Sequence, residues 1–153
     1  MANLIFEYQA IVKGVHDADT ITVDVNLASL PELRTLPADA TRIDLGFSID
    51  VPLEWAKLLA SGEQEIWRRD ERIRFYGLNA PEIKDKSGAG IKARDYVRSL
   101  LPVNSTITLQ TIRVKGRTKQ EKYGRYLGII FLENDLNLNQ RLIELGYAIA
   151  FML

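Results

Sequence analysis

The chain has 153 residues, no cysteine, and 20 basic residues balanced by 20 acidic ones. This length suits one domain with a substantial hydrophobic core, and an apolar fraction of 46% is that of an ordinary soluble globular protein. Because cysteine is absent, disulfides, zinc–thiolate sites and thiol catalysis are excluded.

No stretch of the sequence has the character of a leader or a membrane span. The start, MANLIFEYQA, lacks the basic residues and the apolar run of a signal peptide. The most apolar segments, LGIIFL (127–132) and YAIAFML (147–153), are far too short to cross a bilayer. We therefore expect a cytoplasmic protein that does not enter a membrane, or a secreted one if an export signal has been removed. The sequence indicates no oligomeric state.

Residues 5–27 predict two strands joined by a turn at HDAD, because apolar and polar residues alternate in TITVDVNL after the turn. Asp17 and Asp19 therefore lie at the tip of a hairpin. Taken alone, two aspartates at such a position are more typical of a turn than of a ligand site. His16, the single histidine, is interpreted as a neighbour of the turn rather than as a base or a ligand.

Residues 28–72 are the least regular part of the chain. RIDLGFSIDV (42–51) predicts a strand with Gly46 as a bend or bulge. VPLEWAKLLASG (51–62) predicts a helix that begins at a proline and ends at a glycine. We interpret 28–72 as an enlarged hairpin or insertion within a single domain that spans 1–153.

The second half alternates strands and helices. Strands are predicted at EIWRRDERIRFYGL, TITLQTIRV and RYLGIIFL. A helix is predicted from Ala89 to Leu100, with Ile91, Tyr96 and Val97 among its packing residues. A short helix near 139–145 is closed by a glycine. At least five short strands with two or three helices predict a mainly β fold of the α+β type, a small OB-type barrel.

The zero net charge hides an asymmetry along the chain. Residues 113–125 hold six basic residues and one acid, so this segment carries +5 and the rest of the chain −5. A basic loop of this kind can steer a phosphate, although charge alone fits a solvated hairpin equally well. The candidate nucleic-acid-binding residues in it are Lys115, Arg117, Lys119, Lys122 and Tyr123.

The stretch RFYGLNAPE (74–82) combines an arginine, an amide and a carboxylate around a proline. Pro81 holds Ala80 extended and removes a backbone donor, which ends strand pairing and leaves the Ala80 carbonyl free. Asp19, Asn79 and Glu82 offer only oxygen, which suits a hard cation such as calcium. Arginines at 74 and 125 can each fork two hydrogen bonds onto a phosphate.

Three motifs in this order, HDADT (16–20), RFYGLNAPE and KYGR (122–125), resemble the thermonuclease family, the staphylococcal-nuclease-like phosphodiesterases. Each motif alone is weak, but the ordered set, followed by NQRLIELGYA, is specific, and the likeness covers most of the chain. The resemblance implies a five-stranded Greek-key OB-fold barrel. It also implies endonucleolytic cleavage of DNA and RNA with low sequence specificity, leaving 3′-phosphates and 5′-hydroxyls.

The resemblance also implies a role for each site residue. Glu82 would orient or deprotonate the attacking water, while Arg74 and Arg125 would bind the phosphate and stabilise the five-coordinate transition state. The Ca²⁺ ligands that it implies are Asp19, Asn79, the backbone carbonyl of Ala80 and, as a further candidate, Asp17.

The sequence departs from the family pattern at four points, of which Asn79 and the missing tyrosines favour an alternative function. Asn79 stands where the family most often has a second aspartate, Ala18 replaces a glycine in the turn, and 53 residues separate Thr20 from Arg74. Residues 152–153 stand where the family continues to base-stacking tyrosines, each worth about 1–3 kcal/mol. The alternative is a catalytically weak or inactive OB module that binds single-stranded nucleic acid or a protein partner. A purely structural domain with an oligomer interface is a third reading.

Overall fold

The computed structural model describes residues 4–26, 42–44, 48–50, 67–113 and 126–151. The strands in these residues are β1 (Leu4–Asp17), β2 (Thr20–Asn26), β3 (Arg42–Asp44), β4 (Ser48–Asp50), β5 (Trp67–Phe75), β6 (Leu78–Asn79), β7 (Thr106–Arg113), β8 (Tyr126–Phe131) and β9 (Ile149–Ala150). The helices are α1 (Ala89–Leu100) and α2 (Leu138–Glu144). Residues 114–125 of the basic segment, the predicted helix at 51–62 and residues 152–153 lie outside the described residues.

Five strands form a closed barrel in the order β1, β2, β5, β8, β7. Neighbours are antiparallel except β5 and β8, which run parallel. The predicted mainly β fold with helices, built on a five-stranded OB-type barrel, is confirmed. The enlarged region joins the second and third barrel strands, and its last residues, from Trp67 onward, already belong to β5.

Alternation along the strands decides which side chains reach the barrel core. Ile21 and Val23 of β2 are fully buried, as are Ile73 and Phe75 of β5. Because successive side chains of a strand point to opposite faces, Arg74 leaves β5 on the outer face. This position places a guanidinium group at the barrel surface, beside the β1–β2 hairpin.

Helix α1 has the predicted bounds, but one predicted packing residue is wrong. Ile91 is 42% exposed, and the buried side of the helix instead runs through Gly90, Ala93 and Val97. Those three positions are spaced by three and four residues and therefore share one helix face. Ile91, which has the largest apolar side chain of the first turn, lies beside this face, and Gly90 occupies the face itself.

Helix α2 begins one residue earlier than predicted, because the Asn137 side chain caps it by accepting a hydrogen bond from the Gln140 N–H at 3.1 Å. Gly146 follows its end with φ of 79°. Asn139 of this helix is buried and donates from Nδ2 to the carbonyls of Tyr76 and Gly128, both at 3.0 Å. These bonds fix the chain just before the turn that carries the candidate site.

The segment predicted as one strand around Gly46 contains two. β3 and β4 pair antiparallel, with Arg42 opposite Asp50 and Asp44 opposite Ser48. The prediction of a single bent strand was therefore wrong, since the two halves run in opposite directions. Gly46 itself lies outside the described residues.

Candidate metal and phosphate site

Asp19 fastens the tip of the β1–β2 hairpin to the turn that follows β5. Its backbone carbonyl accepts a hydrogen bond from the Phe75 N–H at 2.8 Å, and its carboxylate Oδ2 accepts one from the Ala80 N–H at 3.0 Å. Gly77, with φ of 85°, takes the left-handed backbone that favours glycine. The turn at Gly77 brings the proline corner back to the hairpin tip.

The alanine between the two hairpin aspartates does not strain the turn. Ala18 is fully buried and its φ is not positive, so no glycine is needed at this position. The Asp19 N–H donates to Asp17 Oδ1 at 3.0 Å, which closes the tip. The expected departure at residue 18 is therefore accommodated by an ordinary backbone conformation.

Arg74 connects the hairpin tip to the proline corner. Its Nη1 lies 2.6 Å from Asp19 Oδ2, and its Nη2 donates to the Leu78 carbonyl at 3.0 Å and to Asn79 Oδ1. The Asp19 and Arg74 side chains are only 9% and 11% exposed. The Nε–H of Arg74 donates to no acceptor in the described part of the chain, which leaves a donor for a phosphate oxygen.

The two hairpin carboxyl groups have opposite electrostatic surroundings. Burial, a shared hydrogen bond with Asp19 and the charge of Asp19 together raise the pKa of Asp17 to about 6. Burial alone would also raise the pKa of Asp19, but hydrogen bonds from Asp17 and the Ala80 N–H, with the charge of Arg74, hold it below its usual range. Below about pH 6, Asp19 is thus the ionised member of the pair.

The donor set at this corner fits a hard dication. Asp17, Asp19 and Asn79 supply only oxygen, which calcium prefers, and a dication would relieve the competition of two carboxyl groups for one proton. In the parts of the chain that the structure describes, no three carboxylate, histidine or cysteine groups could hold a metal by themselves. An ion here therefore also needs the Asn79 amide oxygen and backbone or solvent oxygens.

Glu82 lies apart from this cluster. Its side chain is 74% exposed, and its contact is with the Lys84 ammonium, 3.7 Å away. The structure thus brings together Asp17, Asp19, Arg74 and Asn79 and gives Ala80 a contact through its N–H, whereas the carboxylate of Glu82 makes no contact with them.

A glycine in α1 sets the position of the Glu82 backbone, and the sequence reading missed it. A Cβ built on Gly90 would lie 2.0 Å from the Glu82 carbonyl oxygen and 2.4 Å from its carbonyl carbon. These distances are far too short for real atoms, so the helix and the loop can approach this closely only because residue 90 has no side chain. A glycine inside a predicted helix, where it lowers stability, was the available signal.

The apolar chain end also meets the site. β9 pairs antiparallel with β6, which places Ile149 opposite Asn79, and the Phe151 N–H donates to the Gly77 carbonyl at 2.8 Å. A shallow cavity of about 210 Å³ adjoins Asn79 and Ala80 and is lined on its other side by 146–149. Tyr147 in this lining stacks on Tyr96, with ring centroids 4.5 Å apart.

The remaining predicted site residues, Arg125, Lys115, Arg117, Lys119, Lys122 and Tyr123, lie outside the described residues. The described strand that follows them begins at Tyr126, which lies opposite Ile73 in the parallel β5–β8 pair. The chain therefore enters β8 next to the strand that carries Arg74.

Comparison with known proteins gives the class of protein that this barrel and corner belong to. The family model described as Staphylococcal nuclease homologue matches residues 72–153. This range includes the proline corner, both helices and the strands β7 and β8. The chain belongs to this family, as the order of motifs predicts.

Two curated relatives extend the comparison. An uncharacterized protein of Methanocaldococcus jannaschii, MJ1439, is 30% identical over 151 residues, which cover 95% of this chain and 59% of that protein. Endonuclease YhcR of Bacillus subtilis is 30% identical over 91 residues, 54% of this chain and 7% of that protein. The chain thus spans less than two thirds of each relative.

Neither helix in the described part of the chain is long and apolar enough to cross a membrane.

Proposed function

We propose that this chain is a Ca²⁺-dependent phosphodiesterase that cleaves DNA and RNA endonucleolytically with low sequence specificity. The observation that carries the proposal is the bridge that Arg74 makes between Asp19 and Asn79 at the barrel surface. Membership of the nuclease family, and the similarity to a protein named an endonuclease, support the same reading. Oxygen ligands and a guanidinium group meeting at one point form a site for a metal and a phosphate.

The residues have distinct roles in this proposal. Asp19 and Asn79, with Asp17 and the Ala80 carbonyl, would hold the calcium ion, which supplies Lewis-acid polarisation of the phosphoryl oxygen when bound. Arg74 and Arg125 donate hydrogen bonds to the phosphate and stabilise the charge that grows on its oxygens in the five-coordinate transition state.

Glu82 accepts a proton from the attacking water as the water oxygen bonds to phosphorus. The bond from phosphorus to the 5′ oxygen breaks, and this oxygen takes a proton from a solvent water molecule to become a 5′-hydroxyl, which leaves a 3′-phosphate on the other fragment. Because the contacts are to the backbone, they carry no base information, and low sequence specificity follows. The basic residues at 115, 117, 119 and 122, with Tyr123, would contact the flanking nucleic acid.

The exposure of Glu82 supports a second candidate function. With its side chain 74% exposed and beside Lys84, Glu82 makes no contact with the cluster that would hold the substrate. A module that binds single-stranded nucleic acid without cleaving it needs Arg74 and the basic residues, but no base. Asn79, which removes one negative charge from the metal ligands, favours the same alternative.

Digestion of single-stranded and plasmid DNA with calcium or with EDTA separates the two candidates. We expect calcium-dependent cutting that is lost in Glu82→Gln and Arg125→Ala, and retained in Glu133→Gln, which changes an exposed glutamate away from the corner. Cutting that persists equally in EDTA and in both variants would contradict the enzyme proposal. DNA binding without cutting under any condition would support the binding module.

A calorimetric titration addresses residue 79 directly. Asn79→Asp restores a negative charge to the ligand set and should tighten calcium binding, because ligand charge tunes the affinity for this ion. An unchanged affinity would show that residue 79 is not a ligand.

A further inference from the structure

A second set of basic side chains lies on the barrel face next to Arg74. In the β2–β5 ladder Thr20 lies opposite Arg74, and Thr22 lies opposite Arg72. Because side chains alternate along a strand, Arg72 leaves β5 on the same outer face as Arg74, about 7 Å farther along the strand. The residue between them, Ile73, is fully buried, in agreement with this alternation.

Two further basic groups join Arg72 on this face. His16 Nε2 lies 2.7 Å from Thr22 Oγ1, which stands across the ladder from Arg72. Arg98 of α1 donates from Nη2 at 3.0 Å and from Nε at 3.3 Å to the carbonyl of Val15, the residue before His16. Burial, and then the charges of Arg72 and Arg98, lower the pKa of His16. We call His16, Thr22, Arg72 and Arg98 the Arg72–Arg98 patch.

Four carboxylates around the patch are paired with other arginines, and a fifth, Asp17 beside His16, is hydrogen-bonded to Asp19. The pairs are Asp19 with Arg74, Asp24 with Arg69, Glu71 with Arg68 and Asp95 with Arg94. Arg72 and Arg98 are exposed and form no ion pair with any residue that the structure describes. The two guanidinium groups of the patch are therefore not paired with a carboxylate of the described residues, and Arg72 lies on the same outer face as Arg74 of the candidate site.

We infer that the Arg72–Arg98 patch binds the phosphodiester backbone of the nucleic acid chain that continues from the phosphate held at Arg74. The patch offers hydrogen-bond donors to phosphate oxygens, namely two guanidinium groups, an imidazole and a hydroxyl. The inference rests on the proposed function and deepens it, because it makes a polymer, rather than a single nucleotide, the preferred ligand. Like the contacts at Arg74, these contacts carry no sequence information.

Fluorescence anisotropy tests the patch without requiring cleavage. The probe is a labelled single-stranded oligonucleotide of about 12 nucleotides, within the range that one OB fold covers, titrated in EDTA at a series of salt concentrations. Arg72→Gln should weaken binding several-fold and reduce the slope of log K against log salt by about 0.7, the value expected for one lost contact to a single strand. Arg98→Gln should act in the same way.

Three controls separate the patch from other effects. Arg141→Gln removes an exposed arginine of α2 that is paired with Glu144 and should change neither affinity nor slope. Arg98→Lys keeps the charge and should retain most of the binding. Thermal melting of each variant shows whether loss of the Arg98 hydrogen bonds to the Val15 carbonyl has caused a folding defect. Thymidine 3′-monophosphate, with one phosphate, should bind Arg72→Gln as well as it binds the unchanged protein in calcium.

An unchanged salt slope in Arg72→Gln would overturn the inference, and so would an equal loss of oligonucleotide and monophosphate binding, since the residue would then act through the Arg74 site. Failure of the proposed function has a different signature, namely no calcium-dependent cutting by the unchanged protein. The anisotropy results do not depend on that outcome.

Discussion

The hairpin tip and the loop after the proline each offer a carboxylate to the candidate site, in opposite surroundings. The Asp19 side chain is 9% exposed and is held by Arg74 and by the Ala80 N–H. The Glu82 side chain is 74% exposed, and its partner Lys84 is more exposed still. In the proposed site, the residues that would bind an ion and a phosphate belong to the barrel and its adjoining turn, whereas the carboxylate that would activate water lies on an exposed loop.

This difference has an energetic consequence. Nearly buried pairs are strongly destabilising to break, because a charge is left without compensation, whereas exposed pairs contribute little to stability. Stability and activity should therefore respond together at the hairpin tip and separately at the loop.

The largest effect is expected for Arg74→Ala. It leaves the ionised Asp19 without its partner, so the free energy of unfolding should fall by about 3 kcal/mol, and cleavage should be lost with the phosphate contact. Chemical denaturation measures the first effect. Arg74→Lys, which keeps the charge but not the planar fork, should be less destabilised. A loss below about 1 kcal/mol in Arg74→Ala would mean that the pair is no more than a surface contact.

Glu82→Gln should show the opposite behaviour. Removing a general base costs about 10²- to 10⁴-fold in rate, while an exposed substitution leaves the free energy of unfolding within about 0.5 kcal/mol. Initial rates of oligonucleotide cleavage and denaturation curves, taken on the same preparations, test this split. Destabilisation comparable to that of Arg74→Ala would show that Glu82 is a structural residue, and the contrast between the two carboxylates would disappear.

Gly90→Ala should affect both stability and cleavage. The added Cβ would overlap the Glu82 carbonyl, 2.0 Å away, so the loop or helix must shift, at a cost of about 1–3 kcal/mol in stability. Cleavage should fall as Glu82 moves. Gly14→Ala is the matched control, because its Cβ would meet nothing within 4 Å and its φ is not positive. If Gly90→Ala and Gly14→Ala have the same stability and cleavage rate, Gly90 does not position the Glu82 loop.

Asp17→Asn gives the smallest effect and a distinct pH dependence. The pKa of Asp17 is raised to about 6 in the folded protein, so the folded chain keeps a proton that the unfolded chain has lost, and stability falls as pH rises from about 4 to about 6. Asparagine keeps the acceptor for the Asp19 N–H and cannot ionise. In EDTA the variant should therefore be about 1–2 kcal/mol more stable than the unchanged protein above pH 6, and equal to it near pH 4.

In calcium the unchanged protein should be more stable than Asp17→Asn above pH 6. It gains more free energy than the variant when the ion binds, because it offers a carboxylate at residue 17. Melting curves in EDTA and in calcium, across this pH range, measure both effects. A stability difference that does not change with pH would contradict the raised pKa of Asp17.

The sequence predicted those parts of the fold that local patterns determine. Alternation gave the first hairpin and the barrel strands, and helix α1 was placed at its observed bounds. The error at Ile91 and the missed Gly90 have one cause: apolar periodicity gives no weight to a glycine, whereas the close approach of the Glu82 backbone leaves no room for a side chain at residue 90. The two strands around Gly46 were read as one because only their pairing with each other distinguishes them.

The site was predictable as a set of residue types and only partly as an arrangement. Motif order pointed to Asp19, Arg74 and Asn79, which the fold brings together. The pairing of β9 with β6 beside Asn79 and the Arg72–Arg98 patch depend on strand register, so their members are ordinary residues in the sequence. The exposure of Glu82 is likewise a property of the loop path.

Diffraction from crystals grown with calcium and thymidine 3′,5′-bisphosphate tests the central claim, that Asp19, Asn79 and Arg74 form one metal and phosphate site. The account predicts an anomalous peak about 2.3–2.6 Å from oxygens of Asp19 and Asn79, with a phosphate group bound to Arg74 next to it. An ion and a nucleotide that bind elsewhere at saturating concentration, while the Asp19–Arg74 pair stays unchanged, would contradict it.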